Sequence, residues 1–183
     1  MSKKPTINSR NPIIHTGVFN IEEVELEFSN GEQRKYQRIV GSDQGAVLAV
    51  PLLDRETVLL IREYAAGTDR YELAFPKGHI EDDEDMLIAA NRELQEEIGY
   101  AANRLEHIHS FTIAPGYLAH TTHIVLASEL YPHRLAGDEP EEIEVVPWKI
   151  ADMDQLLHCS DFTEARSVAA LYMVRDMLIT TSD

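Results

Sequence analysis

One 23-residue stretch, Gly78 to Tyr100, limits the folds open to this chain more than any other. Leu87, Ala90, Leu94 and Ile98 recur there at three- and four-residue spacing. That period predicts a helix from Glu84 to Ile98 with a single apolar stripe to bury. Gly99 stands where a C-terminal cap belongs, because glycine takes the left-handed backbone at no steric cost. The rest of the stretch is acidic: Glu81 to Glu97 holds eight acids and one base, Arg92. Acids at Glu81 to Asp85 suit a helix N-terminus, where the macrodipole favours negative charge. Glu93, Glu96 and Glu97 lie at the wrong end for that, and Glu93 and Glu97, one turn apart, repel each other. A divalent cation would relieve such a cluster. The alternative is a solvated acidic face on which Arg92 pairs Glu96 at i, i+4.

Strand patterns surround this helix. Glu23 to Phe28 alternates acid and apolar residue, the period of a strand with one wet face. Asn30-Gly31 then suggests a type I′ hairpin turn, with Arg34 to Val40 as the returning strand. Residues 1–43 therefore read as an N-terminal β-hairpin module, and 44–183 as the main domain. Further strands are expected at Ala46–Leu53, Thr57–Arg62, Tyr71–Phe75, His107–Ile113, Thr122–Ser128 and Ile143–Trp148. Pro51 suggests that the first of these is an edge strand or bulged. A second helix is expected from Thr163 to Leu178, with Val168, Leu171 and Leu178 facing the core. The mixture predicts an α/β (α+β) fold, an α/β/α sandwich with a mixed sheet plus an antiparallel N-terminal β-module.

Composition narrows the partners. With 16 basic against 32 acidic residues the formal net charge is −16. Nothing would neutralise phosphates in bulk, which excludes a non-specific nucleic-acid binder and an anionic-membrane binder. A metal-held phosphate compound stays open. The longest apolar run, Ala46 to Leu53, is far short of the roughly 20 residues of a membrane helix. Residues 1–10 lack the apolar core of a signal peptide, and Cys159 is the only cysteine. The expectation is a cytoplasmic protein with no membrane or nucleic-acid partner.

The spacing Gly78, five residues, Glu84, seven residues, then Arg92-Glu93-Leu94-Gln95-Glu96-Glu97-Ile98-Gly99-Tyr100 resembles the box of the Nudix hydrolase family. The pattern is GX5EX7REUXEEXGU, with U a bulky aliphatic residue. Every fixed residue is present, and Tyr100 stands where an aliphatic one is usual. The resemblance implies an α/β/α sandwich that cleaves a diphosphate linked to another moiety with Mg2+ or Mn2+. By position, Glu93 and Glu97 would lead the metal ligands with Glu96 a third, and the Lys77 carbonyl would join them at the Gly78 loop. Arg92 would orient the carboxylates, and Glu84 would hold the loop against the helix start. Metal ions at such a site neutralise the pyrophosphate and lower the pKa of bound water.

The resemblance extends to the ADP-ribose pyrophosphatase branch. Pro115 lies 15 residues beyond the box and Tyr117 lies 17 beyond it. In the family these offsets mark ADP-ribose and diadenosine-polyphosphate enzymes respectively; a plain loop and a packed aromatic are the alternatives. The run Gly137 to Val145, with five acids and no base, is similar to the loop that supplies a catalytic glutamate in that branch. Glu139 is then the candidate general base, with Glu93 the alternative, and Glu141 a further metal contact; a solubilising charge run is the bland reading. Segments at 25–31, 60–64, 71–78, 91–97 and 164–166 are similar to members that split ADP-linked compounds into AMP and a second phosphate product. ADP-ribose, diadenosine triphosphate and NADH are the implied substrates. Arg62, whose forked donors suit a phosphate or adenine, and Tyr64 join Pro115 and Tyr117 as candidate substrate contacts. Arg62 as an exposed strand-end charge is the alternative. In the branch the N-terminal module is exchanged between two protomers, so a homodimer is implied. Phe28 and Tyr36 are core residues or, alternatively, adenine-stacking groups. Two other classes compete: a Nudix-fold sensor that binds nucleotide without cleaving it, and a partner-binding domain that holds no Mg2+.

Overall fold

A computed structural model describes residues 3–17, 19–42 and 44–180. In chain order the strands are β1 (Thr6–His15), β2 (Asn20–Glu27), β3 (Gln33–Val40), β4 (Ala46–Pro51), β5 (Thr57–Ala65), β6 (Arg70–Ala74), β7 (Lys77–His79), β8 (Tyr100–Phe111), β9 (Leu118–Ala119), β10 (Thr122–Pro132) and β11 (Glu144–Lys149). The helices are α1 (Met86–Glu93), continued by a π-helical turn (Leu94–Ile98), then α2 (Met153–Leu156) and α3 (Ala165–Thr180). The chain divides into two compact units, Met1–Gly45 with Thr112–Thr121, and Ala46–Phe111 with Thr122–Asp183. Residue 43, where the sequence places a boundary, lies outside the described residues.

The first unit is a four-stranded sheet in the order β1-β2-β3-β9. β2 pairs antiparallel with both β1 and β3, and β3 pairs parallel with β9. The hairpin expected from Glu23 to Val40 is present, but its turn is wider than a two-residue I′ turn. Gly31 N–H donates to Phe28 O and Phe28 N–H to Glu32 O. Gly31 is left-handed (φ 82°) and Asn30 is not, so the turn is a type I bend closed by a glycine bulge. β1 gave no alternating pattern in the sequence, and most of its residues are exposed. Of the aromatic pair, Tyr36 is exposed and Phe28 half-buried; neither joins the core expected as one reading.

The second unit holds a mixed sheet, β7-β4-β10-β8, and an antiparallel one, β11-β5-β6. β4 runs parallel to β10 and antiparallel to β7. β4 is buried throughout, and alternate residues serve two cores. Leu48 and Val50 pack with Leu171 and Val174 of α3, while Val47 and Ala49 pack with Ala89, Ala90 and Leu94 of the box helix. β5 divides the same way, with Val58 and Leu60 on one side and Leu59 and Ile61 on the other. Period-two side chains buried on both faces between helices make the mixed α/β architecture that the sequence predicts. Two strands correct the reading. β4 is interior rather than an edge, and Pro51 ends it. Leu52 N–H turns to Ala127 O and Ala49 N–H to Pro76 O, so proline falls beyond the β7 side of the ladder and removes no bond. β8 begins at Tyr100, seven residues before the expected start, directly from the Gly99 cap.

Candidate active site

The box helix starts at Met86, where Asp85 accepts Leu87 N–H at 2.8 Å as N-cap. This is two residues later than expected, because Glu84 serves the preceding loop instead. Its carboxylate accepts Glu81 N–H at 3.0 Å and both Nε (3.0 Å) and Nη2 (3.0 Å) of Arg92. Arg92 Nη2 also donates to His79 O at 2.9 Å, and Nη1 donates to Glu93 at 2.8 Å and Glu96 at 3.0 Å. One guanidinium thus ties the loop, the helix start and two box carboxylates together, which a planar fork can do and an ammonium cannot. The hydrogen bond from Arg92 holds the Glu84 carboxyl below its ordinary range, and the same bond raises Arg92. The sequence alternative of an Arg92–Glu96 pair is therefore present, within a larger network.

The solvated acidic face is not. Glu93 and Glu97 are only 7% and 4% exposed. The π-helical turn widens the helix after Glu93 and ends at Gly99, whose φ is 73° and whose N–H donates to Leu94 O. Leu94 and Ile98 then face the core while Glu97 is buried alongside. Gly78 makes the space for Glu93: a Cβ there would overlap the Glu93 carboxylate. Lys77 N–H donates to Glu97 Oε2 at 3.0 Å, and Lys77 Nζ pairs Glu63 at 3.1 Å. Burial raises the Glu93 carboxyl, opposed by Arg92. Burial pushes Glu97 up to about 9; Lys77 opposes this and the Glu93 charge adds to it.

Segment 134–143, which leads into the acidic run, meets this helix across a cavity of about 480 Å3, whose lining includes Glu96, Glu97, Glu139 and Glu141. The charge of Glu139 also reaches Glu93. Gly137 leaves room here: a Cβ would overlap the Glu139 carboxylate as it is placed. The catalytic and metal candidates Glu93, Glu96, Glu97, Glu139, Glu141, Arg92 and Lys77 are thus neighbours. Among the described residues, however, no three carboxylate, histidine or cysteine side chains converge closely enough to form a ready-made metal cage. Arg92 holds Glu93 and Glu96 in part.

The substrate candidates already have partners of their own. Arg62 is bound by Glu144 at 2.9 Å and by Asp161, so a phosphate would have to displace carboxylates. Tyr64 donates to Asp69 at 2.7 Å and meets Tyr71 edge to face at 5.7 Å. Pro115 and Tyr117 belong to the first unit, in a turn closed by Tyr117 N–H to Ala114 O, with Tyr117 exposed. Glu164 and Arg166 pair at 2.6 Å, and Glu164 accepts Ser167 N–H at the start of α3. Tyr71, Arg134 and Gly137 had no role in the sequence reading. Only Gly137, a glycine in an acidic run, carried any signal. A larger cavity, about 1060 Å3, is lined by Leu52, Arg55, Lys149, Arg175 and others, and by none of the box residues.

Comparison with known proteins adds to this geometry. The family model described as NUDIX domain matches residues 43–171, and that described as NudE-type Nudix hydrolase N-terminal domain matches 5–38. The ADP compounds hydrolase NudE of Escherichia coli (strain K12) is 46% identical over 176 residues, covering 96% of this chain and 94% of that protein. The ADP-ribose pyrophosphatase of Bacillus subtilis (strain 168) is 29% identical, covering 82% of this chain and 80% of that protein. A solved structure titled as the crystal structure of ADP compounds hydrolase superposes with a TM-score of 0.91 at 45% identity, over 99% of this chain and 97% of that one.

Proposed function

The chain belongs to the Nudix family and is a Nudix pyrophosphohydrolase, and from that premise we propose that it hydrolyses the pyrophosphate bond of ADP-linked compounds with the help of Mg2+ or Mn2+. ADP-ribose, diadenosine triphosphate and NADH are the proposed substrates, each giving AMP and a second phosphate product. The observation that carries the reading is the cavity in which Glu139 and Glu141 face Glu96 and Glu97, with Glu93 held beside them by Arg92.

The donor chemistry fits a hard divalent cation. Two buried carboxylates, both raised by burial, are costly to ionise without a cation, and oxygen ligands are what Mg2+ takes. Glu93 and Glu97 would hold it, with Glu96, Glu141 and the Lys77 backbone as further contacts. When bound, the metal would neutralise the pyrophosphate and acidify the attacking water. Arg92 keeps the Glu93 and Glu96 carboxylates in place before substrate arrives, and Lys77 N–H fixes Glu97. Glu139 takes the proton from the attacking water as its oxygen bonds to phosphorus and the P–O bond to the leaving phosphate breaks. Glu139 is preferred to Glu93 as base because Glu93 already accepts Arg92, whereas among the described residues no cation pairs with Glu139. The same reading takes residues 1–43 as a distinct module and the working form as a homodimer, which light scattering would test.

Incubation with Mg2+ and each of the three substrates, with product separation in 18O-water, tests the proposal. AMP release with one labelled phosphate is the expected result. Tight ADP-ribose binding in calorimetry without AMP release would replace the hydrolase by a sensor.

A further inference from the structure

We propose that Tyr71 is a positioning residue: its phenol latches the acidic loop through Glu141 and so holds Glu139 over the box carboxylates. The proposal rests on the hydrolase reading above for its kinetic part, and on geometry alone for the latch itself.

The loop is tied down unevenly. At its start, His133 N–H donates to Gly99 O at 3.0 Å and Leu135 N–H to Gln95 O at 3.1 Å. Arg134 Nη1 donates to Glu96 O at 3.4 Å, and its guanidinium lies over Gly99, where a Cβ would come within 2.9 Å of it. This end is fastened to the π-helical turn itself. At its far end Glu144 enters β11 opposite Arg62 and pairs with it. Between Leu135 and Glu144, among the described residues, one hydrogen bond is recorded: Tyr71 OH to Glu141 Oε1, at 2.6 Å.

That bond is short and charge-assisted, the stronger kind of neutral-to-ion hydrogen bond. Its donor, though about half exposed, has a ring neighbour. Tyr71 stands on β6 directly across from Tyr64 on β5, and the two rings meet edge to face at an interplanar angle of 71°. Tyr64 is itself anchored to Asp69. An aromatic pair on one sheet therefore reaches out to the middle of a loop whose later part is also held where Ile143 packs against the core. Glu139 lies two residues from the tether, and Gly137 gives its carboxylate room. Without the phenol the loop keeps its two ends and loses its middle support.

The test compares the full chain with Tyr71→Phe, which keeps the ring and its contact with Tyr64. In metal-free buffer, a glutamate-specific protease should cut the Glu142–Ile143 bond about fivefold faster in Tyr71→Phe, as expected when a local opening loses one hydrogen bond. Glu141→Ala should give the same rate, and the double variant no more. Equal cleavage of Tyr71→Phe and wild type overturns the latch. With Mg2+ and ADP-ribose, Tyr71→Phe should lower kcat about fivefold and leave KM within about twofold, because what is lost is placement of the base. In the Glu139→Gln background the substitution should change residual turnover by less than about twofold. An undiminished loss there overturns the connection to Glu139. A wild type that hydrolyses no ADP-linked compound overturns the proposed function and the kinetic half, while the cleavage comparison, made without metal or substrate, still judges the latch.

Discussion

Glu97 carries a cost that the rest of the site is arranged to recover. A carboxyl pushed up to about 9 binds a proton in the folded protein at a pH where the unfolded chain has released it. Stability of the metal-free protein is then fully present below the ordinary carboxylate range and falls as pH rises toward about 9. The slope within that window is about 1.4 kcal/mol per pH unit for one such group. Urea midpoints measured in a chelator between about pH 5.5 and 8.5 should fall steadily for wild type and far less for Glu97→Gln; parallel slopes would refute the assignment. If Glu97 is the metal ligand proposed above, the same substitution should lower turnover with metal by orders of magnitude. Gly78, by contrast, acts sterically. Gly78→Ala drives a Cβ into the Glu93 carboxylate, the far end of a flexible side chain that can swing away. The expected outcome is a melting temperature near wild type with Mg2+ affinity in calorimetry down about tenfold, the scale seen when a support of a metal ligand is disturbed.

At the scale of elements, the box helix shows what a sequence can and cannot say. Its apolar stripe, its extent to within two residues at the start and its Gly99 cap were all legible, because they depend on residues close in sequence. So was the pair Arg92–Glu96 as an alternative. The burial of Glu93 and Glu97 was not, because it depends on three things a helical wheel omits. These are the π-helical turn, the bare backbone at Gly78 and the β7 N–H that meets Glu97. β4, β5 and β6 were legible from apolar runs; β8 was found only in its second half, and β7, three residues long, has no period to read. Tyr71 was invisible as a loop support, since its partner Glu141 is 70 residues away. The cap itself makes a clean prediction. Gly99→Ala forces a left-handed conformation on a residue with a Cβ and crowds Arg134, at a cost of about 1 kcal/mol for the backbone alone. For a chain of this size that lowers the melting temperature by about 2–4 °C; an unchanged melt would mean that the turn relaxes freely.

For the whole molecule, the net charge of −16 has to be reconciled with a substrate that is itself an anion. Thirteen acids sit in the two segments that form the candidate site, and a bound divalent cation would cancel part of that local charge. The remaining acids are spread over both units, and some meet a basic side chain, as Glu23 and Glu25 share Lys35 and Glu22 meets Arg38. Close to the metal the substrate would meet attraction; farther out it would still meet a negative field. Salt separates the two ranges, because mobile ions screen exposed charges beyond about 10 Å at 0.1 M ionic strength and affect a partly buried site much less. At a fixed saturating Mg2+ concentration, raising NaCl from about 20 to about 200 mM should therefore increase kcat/KM for ADP-ribose, by lifting long-range repulsion. An enzyme that draws its anionic substrate in with surface arginines and lysines would show the opposite sign. A fall in kcat/KM under these conditions would mean that basic side chains, Arg62 among them once released from Glu144 and Asp161, take a larger share of substrate capture than the metal does.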